Sequence, residues 1–145
     1  MAENVMGYQA KLYYGTAGST AATQITKARD IQYAFSHDMG ETTSRGDGSA
    51  IPIECKAPVM KKLDALTWSM VDNASDTVLT ALRAAADAAT CIALKLIDRA
   101  SGYGFDGDVY LKCSLGAPLK GETTYDFEVS GVSNGQGRNP SFNTT

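Results

Sequence analysis

Asn73-Ala-Ser-Asp-Thr-Val-Leu-Thr-Ala-Leu-Arg-Ala-Ala-Ala-Asp-Ala-Ala89 is the one stretch of this sequence that reads plainly as a helix. Val78, Leu79, Leu82, Ala85, Ala86 and Ala89 recur at helical spacing and form a single apolar stripe. Thr80, Arg83 and Asp87 lie off that stripe and can face water. Asn73 or Ser75 is the expected N-cap, and Asp76 sets a negative charge against the positive end of the helix dipole. At Thr90-Cys91-Ile92 β-branched residues resume and the apolar period shortens to that of a strand. The spacing predicts a helix over about residues 75–89, and strands and turns almost everywhere else. A lone helix with an Ala-rich face is suited to close packing on a β structure, as an organiser of the fold.

On either side of this stretch the chain alternates. Before it, Leu66, Trp68 and Met70 share one strand face, as do Ile51, Ile53, Cys55 and Ala57, then Ile31, Tyr33 and Phe35, and finally Ala10, Leu12 and Tyr14. After it come Ile92, Leu94 and Leu96, then Val109, Leu111, Cys113 and Leu115, and last Tyr125, Phe127 and Val129. The predicted fold is mainly β: a β-sandwich or partly open barrel of about seven antiparallel strands with one flanking helix. Trp68, Phe127 and Leu82 are its expected core residues. No repeat or linker divides the 145 residues, so 1–145 reads as a single domain. Residues 1–8 read as an N-terminal arm, 39–50 as a long polar loop, and 133–145, rich in Ser, Asn, Gly and Thr, as a flexible C-terminal tail.

Composition excludes several classes. A net charge of -3 argues against a general nucleic-acid binder, which presents a basic face. No apolar run approaches the roughly 20 residues of a membrane span, and the N-terminus shows no basic region leading into an apolar one, so no signal peptide is expected. Cys55, Cys91 and Cys113 are odd in number and widely spaced. They read as free, buried, hydrophobe-like thiols in a reducing compartment.

Catalytic apparatus is equally hard to find. His37 is the only histidine, and a Ser–His–Asp or Cys–His arrangement would need it as base. Its neighbours Ser36 and Asp38 are adjacent in sequence only. Nothing has the ligand spacing of a zinc site, and Asp106-Gly107-Asp108 lacks the rest of a calcium loop, leaving a turn and strand start as its reading. Gly102, Gly104 and Gly107 precede a strand, whereas phosphate cradling uses a helix N-terminus. Arg45-Gly46-Asp47 matches an adhesion tripeptide, which without a secretion signal reads as chance. No enzyme, metal or cofactor is expected.

The order of parts carries more. A polar Thr43-Ser44-Arg45 loop leads to the strand at Ile51, and Leu66-Thr-Trp-Ser-Met70 leads into the helix. Leu94-Lys-Leu-Ile-Asp98 follows, then a Gly-Tyr-Gly-Phe-Asp-Gly turn, Gly116-Ala-Pro-Leu, and Thr124-Tyr-Asp-Phe-Glu-Val129. Over about residues 10–132 this order resembles the major tail protein, or tail tube protein, of long-tailed bacteriophages. The same architecture serves contractile-tail tubes and type VI secretion. The resemblance implies two packed antiparallel sheets with a flanking helix, and hexameric rings that stack into a hollow tube around a tape-measure protein. Tail completion and baseplate or tip proteins are the other implied partners. DNA would pass the bore without specific binding, and the protein would reside in the virion tail after assembly in the host cytoplasm. Residues 39–50 would then contact the next ring, through Glu41, Arg45 and Asp47. Asp126 and Glu128 are candidates to face the bore, where their charge would repel phosphate. The competing expectation is a monomeric β-sandwich binding module that uses the same 39–50 loop as its recognition tip.

Overall fold

A computed structural model describes residues 10–43, 51–98 and 104–143 of the chain. In chain order the elements are β1 (Lys11–Thr16), β2 (Thr23–Gln24), β3 (Arg29–Glu41), β4 (Lys56–Val71), α1 (Thr77–Asp87), β5 (Ile92–Ile97), β6 (Gly104–Gly116), β7 (Thr124–Ser133) and β8 (Ser141–Asn143). The strands form one open antiparallel sheet in the order β2-β1-β5-β6-β7-β4-β3. β8 joins it through Gly104–Asp106 of β6, on the stretch just before β7 takes over that edge at Asp108. The mainly β architecture with one helix is the one expected.

The helix is shorter than its sequence pattern. Its N-cap is Asp76, not Asn73 or Ser75: the Asp76 carboxylate accepts from the backbone N–H of Val78 and of Leu79. Asn73 instead accepts from the Ser75 N–H and hydroxyl, forming the turn that leads in. At the far end Ala89 takes the left-handed conformation (φ 53°), and the Thr90 N–H returns to the Ala85 carbonyl. That closure places alanine where glycine is usual and ends the helix at Asp87, leaving Ala89 exposed. Leu79, Leu82 and Ala85 are buried, and α1 packs against β6.

The core lies under the helix and along one face of the sheet. Trp68 (2% exposed) stacks on Phe127 of the paired strand, with ring centroids 5.5 Å apart and planes at 20°. Leu12, Leu66, Met70, Leu94, Phe105 and Val109 complete the buried surface around them. Period-2 alternation put these side chains on one face, and antiparallel register brought them together.

Three expectations fail, for separate reasons. The runs at 51–57 and 66–70 are not two strands: β4 is continuous from Lys56 to Val71, while 51–55 pair in no strand. Pro58 is tolerated within it because among the described residues that half of β4 pairs on one edge only, β7 joining from Thr67. Residues 39–50 are not all loop, since Met39, Gly40 and Glu41 pair with Pro58, Ala57 and Lys56. Residues 133–143 are not a loose tail, since Ser133 ends β7 and the chain returns as β8. The arm at 1–8 lies outside the described residues.

Truncating Trp68 to Ala should cost about 3–5 kcal/mol, read as a shift in the urea midpoint. Trp68→Phe should cost markedly less, because the buried indole N–H has no acceptor among the described residues. Equal losses, or none, would contradict the packing described.

Candidate assembly surface

β3 and β4 outgrow the sheet. β3 has 13 residues and β4 has 16, but β7 supports β4 only over Thr67–Val71. Beyond Leu66 the two strands form a ribbon with no third strand among the described residues, bulged between Ala34 and Phe35 and again between Asp38 and Met39. Hydrogen bonding continues past the strand ends, where the Thr42 N–H donates to the Cys55 carbonyl and the Cys55 N–H to the Thr43 hydroxyl. The ribbon carries large apolar side chains in solvent: Met39, Val59 (69% exposed) and Met60 (61%), with Ile51 and Ile53 beyond its end. Isolated two-stranded ribbons are marginal in water, and clustered exposed apolar side chains mark interaction sites. Asp38 and Lys62 pair at 2.8 Å across it, both half exposed. Such surface pairs add little stability.

A second, polar surface covers the outer face of β6, β7, β4 and β3. Register sets Lys112, Glu128, Thr67 and Gln32 in one row and Ser114, Asp126, Ser69 and Arg29 in the next. Asp126 and Glu128 are therefore together on this face, both exposed, beside a shallow cavity of about 250 Å³ that Asp30 and Lys112 also line. Glu41 is exposed at the end of β3, some way along the chain from that face, while Arg45 and Asp47 lie outside the described residues. Leu82, Trp68 and Phe127 are buried in the core. His37 sits on the ribbon opposite Lys61 and beside the Phe35 ring. Among the described residues no three His, Cys, Asp or Glu side chains gather as a metal site.

The cysteines divide. Cys91 and Cys113 are half-buried, and burial pushes both thiols up from the ordinary cysteine range. Cys55, expected inside, is exposed on the ribbon. It alternates with Ile51 and Ile53 in sequence, but among the described residues nothing covers that face.

Alternation did not reveal the buried ion cluster. Asp108 is fully buried in β6, not in a turn. Its carboxylate accepts from Arg138 Nε at 2.9 Å and from the Gly18 N–H at 3.0 Å, and Arg138 Nη1 donates to Asp106 at 2.8 Å. Burial works against the Arg138 charge, but its bonds to the two carboxylates outweigh that and raise its pKa. Gly18, at φ +86°, has no room for a side chain because the Gln136 carbonyl lies against it. One cluster thus joins the β1–β2 turn, β6 and the C-terminal segment. Its only sequence signal was two carboxylates two residues apart on a strand, without the cation that answers them 30 residues on.

No protein-family model matches the chain, and no curated protein does. Solved structures do. A chain in the tail of an empty gene transfer agent particle, determined with helical refinement and C6 symmetry, superposes with a TM-score of 0.67 at 17% identity, covering 99% of each chain. A chain of the native gene transfer agent virion gives 0.66 at 14% identity, over 97% of this chain and 98% of that one. The SPP1 tail tube gives 0.66 at 11% identity, over 98% of this chain and 80% of that one. The fold is that of a phage tail tube protein.

Arg138→Met should destabilise the protein by about 3 kcal/mol by stranding the buried Asp108 charge. Arg138→Lys should recover only part of this, because an ammonium cannot reach both carboxylates as a planar fork does. A denaturation midpoint unchanged in Arg138→Met would show that the cluster does not hold the C-terminal segment.

Proposed function

We propose that this chain is a non-enzymatic structural protein that polymerises into the tube of a phage or phage-derived tail. One observation carries the reading: a fold shared along nearly its whole length with tail and tail-tube chains carries a long ribbon whose apolar side chains stay exposed among the described residues. A ribbon that docks on a different surface of another copy makes a heterologous contact, and such contacts generate rings or open polymers. In this reading copies form hexameric rings that stack, with the ribbon and the 39–50 segment reaching the neighbouring ring through Glu41, Arg45 and Asp47. The polar face bearing Asp126 and Glu128 lines the bore. There its acidic excess disfavours lasting contact with DNA phosphates in transit. A tape-measure protein, tail completion proteins and baseplate or tip proteins are the implied partners, and the virion tail, assembled in the host cytoplasm, the location.

The ribbon's role can be separated from folding. Val59→Asp with Met60→Asp alters two exposed positions, so stability should move by no more than about 1 kcal/mol. Negative-stain electron microscopy of concentrated wild type should show tubes or stacked rings, and the double variant should show neither. Wild type that stays monomeric at high concentration would overturn the tube reading. Tubes from the variant would remove the ribbon from assembly.

A further inference from the structure

The ribbon leaves the sheet at the bulge between Ala34 and Phe35, and beyond it no third strand among the described residues fixes its direction. The C-terminal segment lies at that point. Phe142 of β8 has its ring 6.1 Å from Phe35, the first residue past the bulge, and 5.5 Å from Phe105 in an edge-on contact. Lys61 of the ribbon places its ammonium 4.5 Å from the Phe35 ring centroid and 4.4 Å from that of Phe142. A cation from one ribbon strand is thus shared between a ring of the other and a ring of the C-terminal strand.

Phe142 is itself held to the body of the protein. β8 pairs with Gly104–Asp106, Pro140 lies over Gly107 so closely that a side chain there would collide with it, and Arg138 grips Asp106 and Asp108. A chain of contacts therefore runs from the buried strand β6, through the C-terminal segment, to the root of the ribbon. We infer that Arg138–Phe142 is a clamp that sets the angle of the ribbon, with Phe142 and Lys61 as its positioning residues. Every copy in a regular polymer has to present its ribbon at the same angle, and fixing that angle beforehand lowers the ordering cost of each docking event. That consequence rests on the tube reading; the clamp itself does not.

The test is made on dilute, unassembled protein. One spin label is placed on Cys55, which is exposed on the ribbon, and a second on Asp87→Cys at the end of α1, with Cys91→Ala and Cys113→Ala removing the other thiols. Double electron–electron resonance should give one narrow distance distribution in this parent. Phe142→Ala should widen it by about twofold or more, while Phe142→Tyr, which keeps the ring, should not. If Phe142→Ala loses its cooperative melt, Lys61→Met decides instead: Lys61 is exposed, so its loss should leave the fold intact yet widen the distribution. A parental width in whichever of these two variants decides would overturn the clamp and leave the tube reading standing. Wild type that never polymerises would do the reverse.

Discussion

The constraint that shapes this protein is a mismatch of strand lengths. β4 continues for 16 residues, but its neighbour on the sheet side accompanies it for only its last five, Thr67–Val71. Up to that point the chain behaves as an ordinary half-buried sheet, with Trp68 against Phe127 and the Leu79–Leu82–Ala85 face of the helix closing the core. Beyond it, among the described residues, β3 and β4 pair only with each other. Trp68 and Met70, the inward-facing positions of β4 in the shared stretch, are buried, whereas Met39, Val59 and Met60 on the projecting stretch face water. A chain that leaves these side chains bare in water gains from covering them, and the apolar surface removed sets how much.

The buried cluster at Asp108 answers a second need created by the same design. A ribbon with one free end transmits leverage to its root, and the root is braced by a C-terminal segment that contributes few apolar residues of its own. Charge supplies the anchorage that apolar contact does not: Arg138 reaches two carboxylates at once, and the Gly18 amide takes a further acceptor position on Asp108. Charge-assisted hydrogen bonds of this kind are geometrically specific. They place Phe142, and through it the ribbon.

Period and burial explain what was legible in the chain and what was not. The helix and the strands around Leu66–Met70, Ile92–Leu96, Val109–Leu115 and Tyr125–Val129 each bury one face against something, so alternation or helical spacing marked them. Past its root the ribbon leaves both faces largely exposed, and the Lys56–Lys62 pattern shows no alternation to find. β8 is only three residues long and is held by Arg138 from outside its own span, so no local signal could distinguish it from a tail. The N-cap is not legible locally, because Asn73, Ser75 and Asp76 are all competent caps, and only the fold decides which sits one residue before the first turn. Glu41, Asp126 and Glu128 stand out in the sequence by charge and position. The register brings the last two onto one polar face with Lys112. Order of elements carried the family resemblance, which at 11–17% identity to the solved tail chains lies in architecture and not in motifs.

The central claim is that the ribbon is completed by another copy of the chain. Amide hydrogen exchange, followed residue by residue in dilute protein and again in the polymer, measures this directly. The account predicts that Phe35–Glu41 and Lys56–Leu63 exchange quickly in the dilute state and become strongly protected on assembly, while amides around Trp68 and Phe127 are protected in both. Ribbon amides already as protected in the dilute monomer as those of the core, or unchanged on polymerisation, would contradict it.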